Sequence, residues 1–394
     1  MGKYNFDEVI DRKGTYASKW ENMPGIETTD GIPLWVADMD FQCSDAIIKA
    51  LHERVDKRIF GYTVYDNADL KNAVSGWYKK KYGWSVKTED IFYCPGVVPA
   101  FTFLCLALTN EGDGVIIQPP VYHPFRMGLE ATKREVVNNP LIYNEADACY
   151  TINYDDLDKK LAEPKNKGMI LCHPHNPVGR VWTEEELKKV IAIAKKYGKW
   201  IISDEIHADI IRKGTKFAPI ATIAGDYADE IMTLTAPSKA FNMAGLKMSN
   251  LVITKKEYQE KYMDMAAKQL HVTGVSPLAI AATVAAYTAD DPWLEEVNDY
   301  IDANVAYCME FFAKEMPKAK PINIEGTYLF WVDLSAYAES TEELDRIIKK
   351  EARVALNNGI MFGEGGDGFQ RLNVACPRSF IVEGLKRIKE VLVK

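Results

Sequence analysis

The sequence predicts an α/β protein in which helices cover both faces of a mostly parallel sheet, with a smaller α+β domain beside it. The chain has 394 residues, which suffices for two or three domains at roughly 100–200 residues each. Between residues 91 and 235, five short apolar runs alternate with helical patterns. The runs are unbroken, as is typical of strands buried on both faces. We therefore predict a large domain over residues 44–285 and a small domain from residues 1–43 and 286–394.

The predicted strands are these apolar runs and two later ones, and the predicted helices have recognisable starts. Ser44 is typical of a residue that caps a helix, and Thr183 with Glu186 forms a capping-box pattern. We expect strands at residues 91–93, 115–117, 169–172, 200–202, 231–235, 327–334 and 370–375. We expect helices at residues 45–55, 68–82, 184–197, 293–316 and 342–358, and a last helix capped by Ser379.

Composition and charge argue against several classes of protein. The net charge of −8 disfavours a nucleic-acid partner, which requires a basic surface. No apolar run approaches the roughly 20 residues of a membrane span, and the start of the chain lacks the apolar core of a signal peptide. The seven cysteines include no Cys-x-x-Cys pair, so we expect reduced thiols in a cytoplasmic protein. A zinc site at Cys172, His173 and His175 lacks a second ligand pair, so we expect no metal.

Several chemically useful residues directly follow the predicted strands. Because the carboxyl ends of parallel strands meet at one edge of a sheet, we expect these residues to surround one site. The segment after the first strand, with Val97 and Val98, is expected to open a helix. The residues that follow the other strands are Tyr122, Asn176, Asp204 with His207, and Ser238 with Lys239.

These residue types together suit one cofactor. The free N–H groups of a helix start bind phosphate, and a lysine forms a Schiff base with an aldehyde. A carboxylate holds a pyridine nitrogen protonated, and a tyrosine stacks on a flat ring. Phosphate, aldehyde, pyridine nitrogen and flat ring describe pyridoxal 5′-phosphate (PLP). Taken singly, Asn176 is also a turn former, Asp204 a helix cap and Lys239 a solvated lysine, so the prediction depends on their joint placement.

The motifs HNPVGR, SDEIHAD, APSKAFNMAGL and RLNVACPR make the sequence resemble the class I/II aminotransferase family, the fold type I PLP enzymes. Together with LWVADMDF and FGYT, they are most similar to the cystathionine β-lyase and cystalysin branch, the C–S lyases. The resemblance runs from residue 34 to residue 378. It implies a seven-stranded, mostly parallel large domain that binds PLP, and a homodimer with shared active sites.

The resemblance also implies roles for the residues at the strand ends. Lys239 matches the Schiff-base lysine, and Asp204 matches the carboxylate that pairs with the pyridine nitrogen. Asn176 matches the residue that hydrogen-bonds the ring oxygen, and Tyr122 matches the stacking aromatic. Val97 and Val98 match the position whose backbone amides hold the phosphate.

Further residues are implied to complete the site. Arg371 matches the arginine that binds the substrate α-carboxylate, and the backbone near Val36 and Ala37 is expected to close over that carboxylate. Tyr62 matches a tyrosine that reaches the phosphate of the neighbouring subunit, which implies the dimer.

The sequence departs from the aminotransferase pattern at two positions. Many members have a tyrosine three residues after the pyridine-pairing aspartate, where this chain has His207. Many have an arginine eight residues after the Schiff-base lysine, where this chain has Lys247, which neutralises phosphate as a point charge. The resemblance also implies that Ser238 contacts the phosphate.

We therefore expect a PLP-dependent C–S β-lyase that releases pyruvate, ammonia and a thiol such as homocysteine from an amino-acid substrate. An aminotransferase shares the first steps and is the alternative, as is a protein of this fold with an added regulatory binding role. The GEGGDG segment precedes a predicted strand, which excludes a dinucleotide-binding motif there. Asp38 and Asp40 are expected to be structural.

Overall fold

The computed structural model describes residues 2–272 and 274–393, and its centre is a seven-stranded sheet. All neighbouring strands are parallel except Ser249–Val252, which is antiparallel to both of its neighbours. This confirms the predicted α/β fold. The strands lie side by side in the order Ile91–Cys94, Ser249–Val252, Ile231–Thr235, Trp200–Asp204, Asn166–Cys172, Gly114–Ile117 and Glu135–Asn138.

Both faces of this sheet are buried, which explains the unbroken apolar runs. Ile170 and Ile202 belong to the same core cluster as side chains of the helix Val97–Leu108 on one face. Met169 belongs to the cluster on the other face, together with side chains of the helix Glu184–Tyr197. Because successive side chains of a strand point to opposite faces, the four runs at residues 115–117, 169–172, 200–202 and 231–235 supply both clusters.

Two helices begin at capping residues that the sequence predicts. The Ser44 side chain accepts a hydrogen bond from the backbone N–H of Ile47 at 3.3 Å, and Thr183 with Glu186 forms the predicted capping box.

In the described part of the chain, no helix is both long enough and apolar enough to cross a membrane. The α-helices are Ser18–Glu21, Asp45–Val55, Ala68–Tyr82, Val97–Leu108, Pro124–Ala131, Tyr154–Ala162, Glu184–Tyr197, Ile220–Ile223, Pro237–Ala240, Lys256–Met263, Pro277–Thr288, Trp293–Glu315, Thr341–Arg346 and Arg378–Leu392.

A second, antiparallel sheet is formed within the C-terminal part of the chain. Its strands lie in the order Lys320–Pro321, Leu329–Asp333, Phe369–Asn373 and Asn357–Asn358. The short strand Ile32–Pro33 pairs in parallel with Val354–Ala355, which ties the N-terminal segment to this region. A further pair joins Ile142–Asn144 to Cys149–Thr151. The division into residues 44–285 and residues 1–43 with 286–394 stays a prediction.

Two predicted elements differ from the structure. The helix expected at residues 342–358 is wrong in its second half, because the α-helix Thr341–Arg346 continues as a π-helical turn only to Glu351. The backbone then reverses at Arg353, whose φ is +57°, and Val354–Ala355 pairs with the N-terminal strand. That pairing overrides a local sequence that favours helix. Ser379 is not a helix cap, because the last helix begins at Arg378 after Pro377 and has no side-chain cap.

Candidate active site

A cavity of about 300 Å³ opens at the carboxyl ends of the parallel strands. The strand ends and the loops that follow them form its floor, and Ala37 of the N-terminal segment adds a wall. This is the edge of the sheet at which the sequence predicts the site. The lining residues are Ala37, Pro95, Gly96, Val97, Val98, Pro99, Tyr122, Cys172, Asn176, Asp204, Ile206, His207, Ser238, Lys239, Ala244, Lys247 and Met248.

Lys239 projects into this cavity from the short helix that follows the strand Ile231–Thr235. Its Nζ donates a hydrogen bond to the carbonyl oxygen of Ala37 at 2.5 Å. Burial lowers the pKa of Lys239 to about 8, because the charged ammonium loses its hydration. About a tenth of the amine is therefore neutral at pH 7, far more than for an ordinary lysine, and the neutral form is what a nucleophile or a base requires.

Asp204 ends the strand Trp200–Asp204 and is buried. The strand register sets it beside Cys172 on one neighbouring strand and Leu234 on the other. Its carboxylate accepts one hydrogen bond, from the backbone N–H of Ile206 at 3.1 Å. Burial raises the pKa of Asp204 to about 7, while the positive charge of Lys239 acts in the opposite direction. The site therefore holds a buried carboxyl group that a cationic N–H partner would return to its ionised form.

Arg371 lies on the strand Phe369–Asn373 and joins the second sheet to the cavity floor. Its Nη1 donates to Oδ1 of Asn176 at 2.9 Å, and its Nη2 donates to Oδ1 of Asn357 at 2.6 Å and to the Trp35 carbonyl at 3.1 Å. Burial lowers the pKa of Arg371 to about 10. Its Nε has no hydrogen-bond acceptor among the described residues. The guanidinium is thus a buried cation suited to an incoming carboxylate.

Tyr122 and His207 line the cavity close to these charged groups. Burial raises the pKa of Tyr122, and the charge of Asp204 adds to this effect. Burial also lowers the pKa of His207 well below its usual range, and the charges of Lys239 and Arg371 act in the same direction. The imidazole is therefore neutral, and its Nδ1 has no partner among the described residues.

One end of the cavity has the character of an anion site. Val97 and Val98 are the first two residues of the helix Val97–Leu108, so their N–H groups have no acceptor inside the helix. Ser238 and the exposed Lys247 also line this cavity. Backbone donors at a helix start with a cation nearby are a common arrangement for phosphate.

Three of the implied site residues do not line the cavity. Arg371 is connected to it through Asn176. Val36 lies next to the cavity-lining Ala37, and its carbonyl accepts a hydrogen bond from Asn373 at 2.6 Å. Tyr62 is fully exposed and does not line the cavity of its own chain, so its implied role in a partner's site stays a prediction.

Sequence reasoning did not identify several residues that support the site. Asn357 binds Arg371 but lies in the segment that was expected to be helical, so no local signal pointed to it. Tyr328 is fully buried, and its hydroxyl donates to the Ala37 carbonyl at 3.0 Å. Met248 and Cys172 line the cavity, and Cys172 was considered only as a metal ligand. Among residues 2–272 and 274–393, no three His, Cys, Asp or Glu side chains form a group that could hold a metal ion.

Comparison with known proteins fits this geometry. The profile of the family "Aminotransferase class I and II" matches residues 29–388. The chain belongs to the class I and II aminotransferase family. It is 41% identical over 389 residues to the cystathionine beta-lyase PatB of Bacillus subtilis (strain 168), which covers 98% of this chain and 100% of PatB.

Two solved structures resemble the chain over nearly its whole length. Cystalysin from Treponema denticola, with a PLP cofactor, has a TM-score of 0.94 and 35% identity, covering 99% of this chain and 98% of cystalysin. The PLP-bound C–S lyase from Staphylococcus hominis has a TM-score of 0.92 and 37% identity, covering 99% of this chain and 98% of that lyase.

Proposed function

We propose that this chain is a PLP-dependent C–S β-lyase that converts a sulfur-containing amino acid such as L-cystathionine into pyruvate, ammonia and a thiol. The observation that carries the proposal is the cavity itself, which the partly buried Lys239 and the buried Asp204 both line at the strand ends. The choice of reaction is supported by the full-length relatives, which are a cystathionine beta-lyase and C–S lyases.

The polar groups of the cavity fit PLP. Asp204 has room for a cationic N–H partner, because its carboxylate accepts only one backbone hydrogen bond. Val97, Val98, Ser238 and Lys247 would hold the phosphate, and Tyr122 would stack on the ring, with Asn176 and His207 at its edge. When bound, PLP supplies an electron sink for the negative charge that develops at the substrate Cα.

Arg371 would hold the substrate α-carboxylate. Its guanidinium is buried and fixed by Asn176 and Asn357, so it is oriented before the substrate binds. The Trp35 carbonyl on the same guanidinium connects the carboxylate site to the segment that contains Val36 and Ala37. A carboxylate there would give the buried cation the counter-ion that the described residues do not provide.

Lys239 would move the proton. Lys239 would be the residue that holds the aldehyde of PLP, and its Nζ, when free, would accept the proton from the substrate Cα. Burial lowers the pKa of Lys239 to about 8, which places it where an amine both accepts and returns a proton near neutral pH. The ammonium that forms is then able to protonate the sulfur that leaves Cβ.

We further propose that the chain acts as a homodimer in the cytoplasm. Several apolar side chains near Tyr62 in the sequence are exposed, namely Val55, Ile59, Phe60 and Val64. Exposed apolar surface of this kind is typical of a protein interface. A second copy of the chain that covers this surface would bring Tyr62 to its partner's phosphate site. The seven cysteines are all free, as a reducing compartment permits.

The experiment that tests the proposed reaction measures products with and without a 2-oxo acid. The purified chain loaded with PLP is incubated with L-cystathionine, and pyruvate, ammonia and homocysteine are quantified. A lyase needs no second substrate, so we expect steady release of all three products without a 2-oxo acid. We expect transamination to be a slow side reaction. A hundredfold preference for C–S cleavage would correspond to a difference of about 2.7 kcal/mol between the two activation barriers.

The contrary result would identify the aminotransferase alternative. In that case cystathionine and cysteine turn over only at background, while an added 2-oxo acid supports fast amino transfer from another amino acid. Reduction with borohydride followed by peptide mapping provides a second check, because PLP should be fixed on Lys239. An adduct on any other lysine would contradict the assigned chemistry.

A further inference from the structure

The wall of the cavity is a loop of residues 35–41, and side chains from distant parts of the chain donate hydrogen bonds to its backbone carbonyls. Ala37 O accepts hydrogen bonds from Lys239 Nζ and from the Tyr328 hydroxyl. The Asn373 side chain donates to the carbonyls of Val36 and Asp38, both at 2.6 Å. Hydrogen bonds therefore hold the backbone of residues 36–38 in place beside the reactive lysine.

A compact group of charges lies behind this loop. Arg12 donates from Nη2 to Oδ2 of Asp38 at 2.8 Å and from Nη1 to Oδ1 of Asp40 at 2.6 Å. Lys19, whose side chain is fully buried, binds Oδ2 of Asp40 at 2.5 Å and the Asp38 carbonyl at 3.2 Å. Trp20 also donates to Asp40 at 2.9 Å. Two cations of the N-terminal segment thus hold two carboxylates of the loop.

The two carboxylates of this group are not equivalent. Asp40 is buried and receives three close donors, so it is satisfied as a structural group. Asp38 is partly exposed, and its charge acts on Lys239 in favour of the protonated amine. Asp38 directly follows Ala37, whose carbonyl binds the lysine amine, so the ion pair of Asp38 with Arg12 is linked to the reactive nitrogen through one peptide unit.

The other charged groups around Lys239 either favour or disfavour its protonated amine. Asp204 from the sheet also favours the protonated amine, whereas Arg371 and Lys247 disfavour it. His207 is neutral because burial lowers its pKa. A pyridine N–H on Asp204 would neutralise that carboxylate. Asp38 would then be the carboxylate still acting on the lysine.

We propose that Asp38 is a positioning residue for Lys239, with Arg12 of the N-terminal segment holding the Asp38 carboxylate and thereby the loop that binds the lysine amine. This inference rests on the proposed function, in which Lys239 alternates between neutral base and ammonium. The Ala37 carbonyl orients the nitrogen, and the Asp38 charge stabilises the ammonium that forms when Lys239 takes the Cα proton. The N-terminal segment is in this way part of the site although it does not line the cavity.

The test follows the capture of PLP by the full chain, after removal of bound PLP, as a function of pH. In capture the neutral Nζ attacks the aldehyde carbon, a carbon–nitrogen double bond forms and one water leaves. The rate should rise about tenfold per pH unit below the pKa of Lys239 and level off above it. The unmodified chain should therefore show a bend near pH 8, measured as adduct trapped by borohydride.

Two substitutions should move this bend in opposite directions. Asp38→Asn removes the charge that favours the ammonium, so the bend should shift to lower pH by roughly half a unit to one unit. Arg12→Gln removes a cation beside the Asp38 carboxylate, so the bend should shift to higher pH. A role confined to stability would change the amount of folded protein and leave the bend in place.

Matched controls on the same segment exclude a general surface-charge effect. Asp11→Asn and Lys13→Gln remove exposed charges beside Arg12 that do not touch the loop, and both should leave the bend unchanged. If PLP is captured normally but the Asp38→Asn bend coincides with that of the unmodified chain, the inference is overturned. If Asp38→Asn does not fold, an unshifted Arg12→Gln bend has the same consequence. If the unmodified chain captures no PLP, the proposed function fails instead.

Discussion

The floor and the wall of the cavity are built in different ways. The floor residues Asn176, Asp204 and Lys239 follow parallel strands of one sheet, so the sheet fixes their spacing. The wall, residues 35–41, has no partner strand and is held by side chains from distant parts of the chain, among them Arg12, Asn373 and Tyr328. The positions of the floor residues therefore follow from the sheet, whereas the wall depends on polar contacts made by individual side chains.

Substitution of the floor lysine should have the largest effect. Lys239→Ala removes both the covalent partner of the aldehyde and the base, so C–S cleavage should fall on the order of 10³-fold or more. Pyruvate release from L-cystathionine provides the measurement. Lys213→Ala, at an exposed lysine away from the cavity, is the control and should retain activity. Appreciable cleavage by Lys239→Ala would show that another group carries the chemistry.

The second floor prediction compares two neighbouring buried carboxyl groups. Asp204→Asn should lower kcat by roughly 10²–10³-fold while PLP is retained in part, because a neutral partner does not hold the pyridine nitrogen protonated. Burial raises the pKa of Glu205 to about 8, so this group is mostly protonated at neutral pH. Glu205→Gln should therefore change kcat little, since its Oε1 can still accept from Ser203 and Ile220. Equal losses in the two variants would assign no special role to Asp204.

Arg371 connects the floor to the wall, and its loss should appear in substrate binding. Arg371→Ala removes a charge-assisted contact worth about 1.5–3 kcal/mol, so kcat/KM should fall roughly 10- to 100-fold with PLP content unchanged. Arg371→Lys keeps the charge without the fork and should recover part of the loss. Unchanged affinity for the amino acid in Arg371→Ala would mean that the carboxylate binds elsewhere.

The difference between floor and wall also explains which site residues could be predicted from the sequence. Lys239, Asp204 and Asn176 were predicted because each directly follows an apolar run, and strand ends of a parallel sheet meet at one edge. Tyr328 was missed because its hydrogen-bond partner Ala37 lies 291 residues away, and Asn357 was missed because it lies in the segment that was expected to be helical. The pairing of Val354–Ala355 with Ile32–Pro33 is equally non-local, and a helical pattern concealed it.

Tyr62 extends the comparison to a second chain. Tyr62→Ala should weaken phosphate binding by roughly 1–2 kcal/mol, or about 5- to 30-fold, if its hydroxyl reaches a partner's site. At a PLP concentration that leaves the Tyr62→Ala sites largely empty, an equal mixture of Lys239→Ala and Tyr62→Ala chains should then regain up to roughly a quarter of the normal activity, because half of the dimers are hybrids with one intact site. Fully active monomers in light scattering would contradict the shared site.

The smallest effect is expected at Tyr122, whose proposed contact with PLP is stacking on the pyridine ring. Aromatic stacking contributes about 0.5–1.5 kcal/mol beyond area burial, so Tyr122→Leu should speed PLP dissociation roughly 2- to 12-fold. Tyr122→Phe keeps the ring and should dissociate PLP nearly as slowly as the unmodified chain. The rate is measured by transfer of PLP to an excess of an acceptor protein. Equal dissociation from the Leu and Phe variants would assign the contribution to the hydroxyl group, whose environment includes the charges of Asp204 and Arg371.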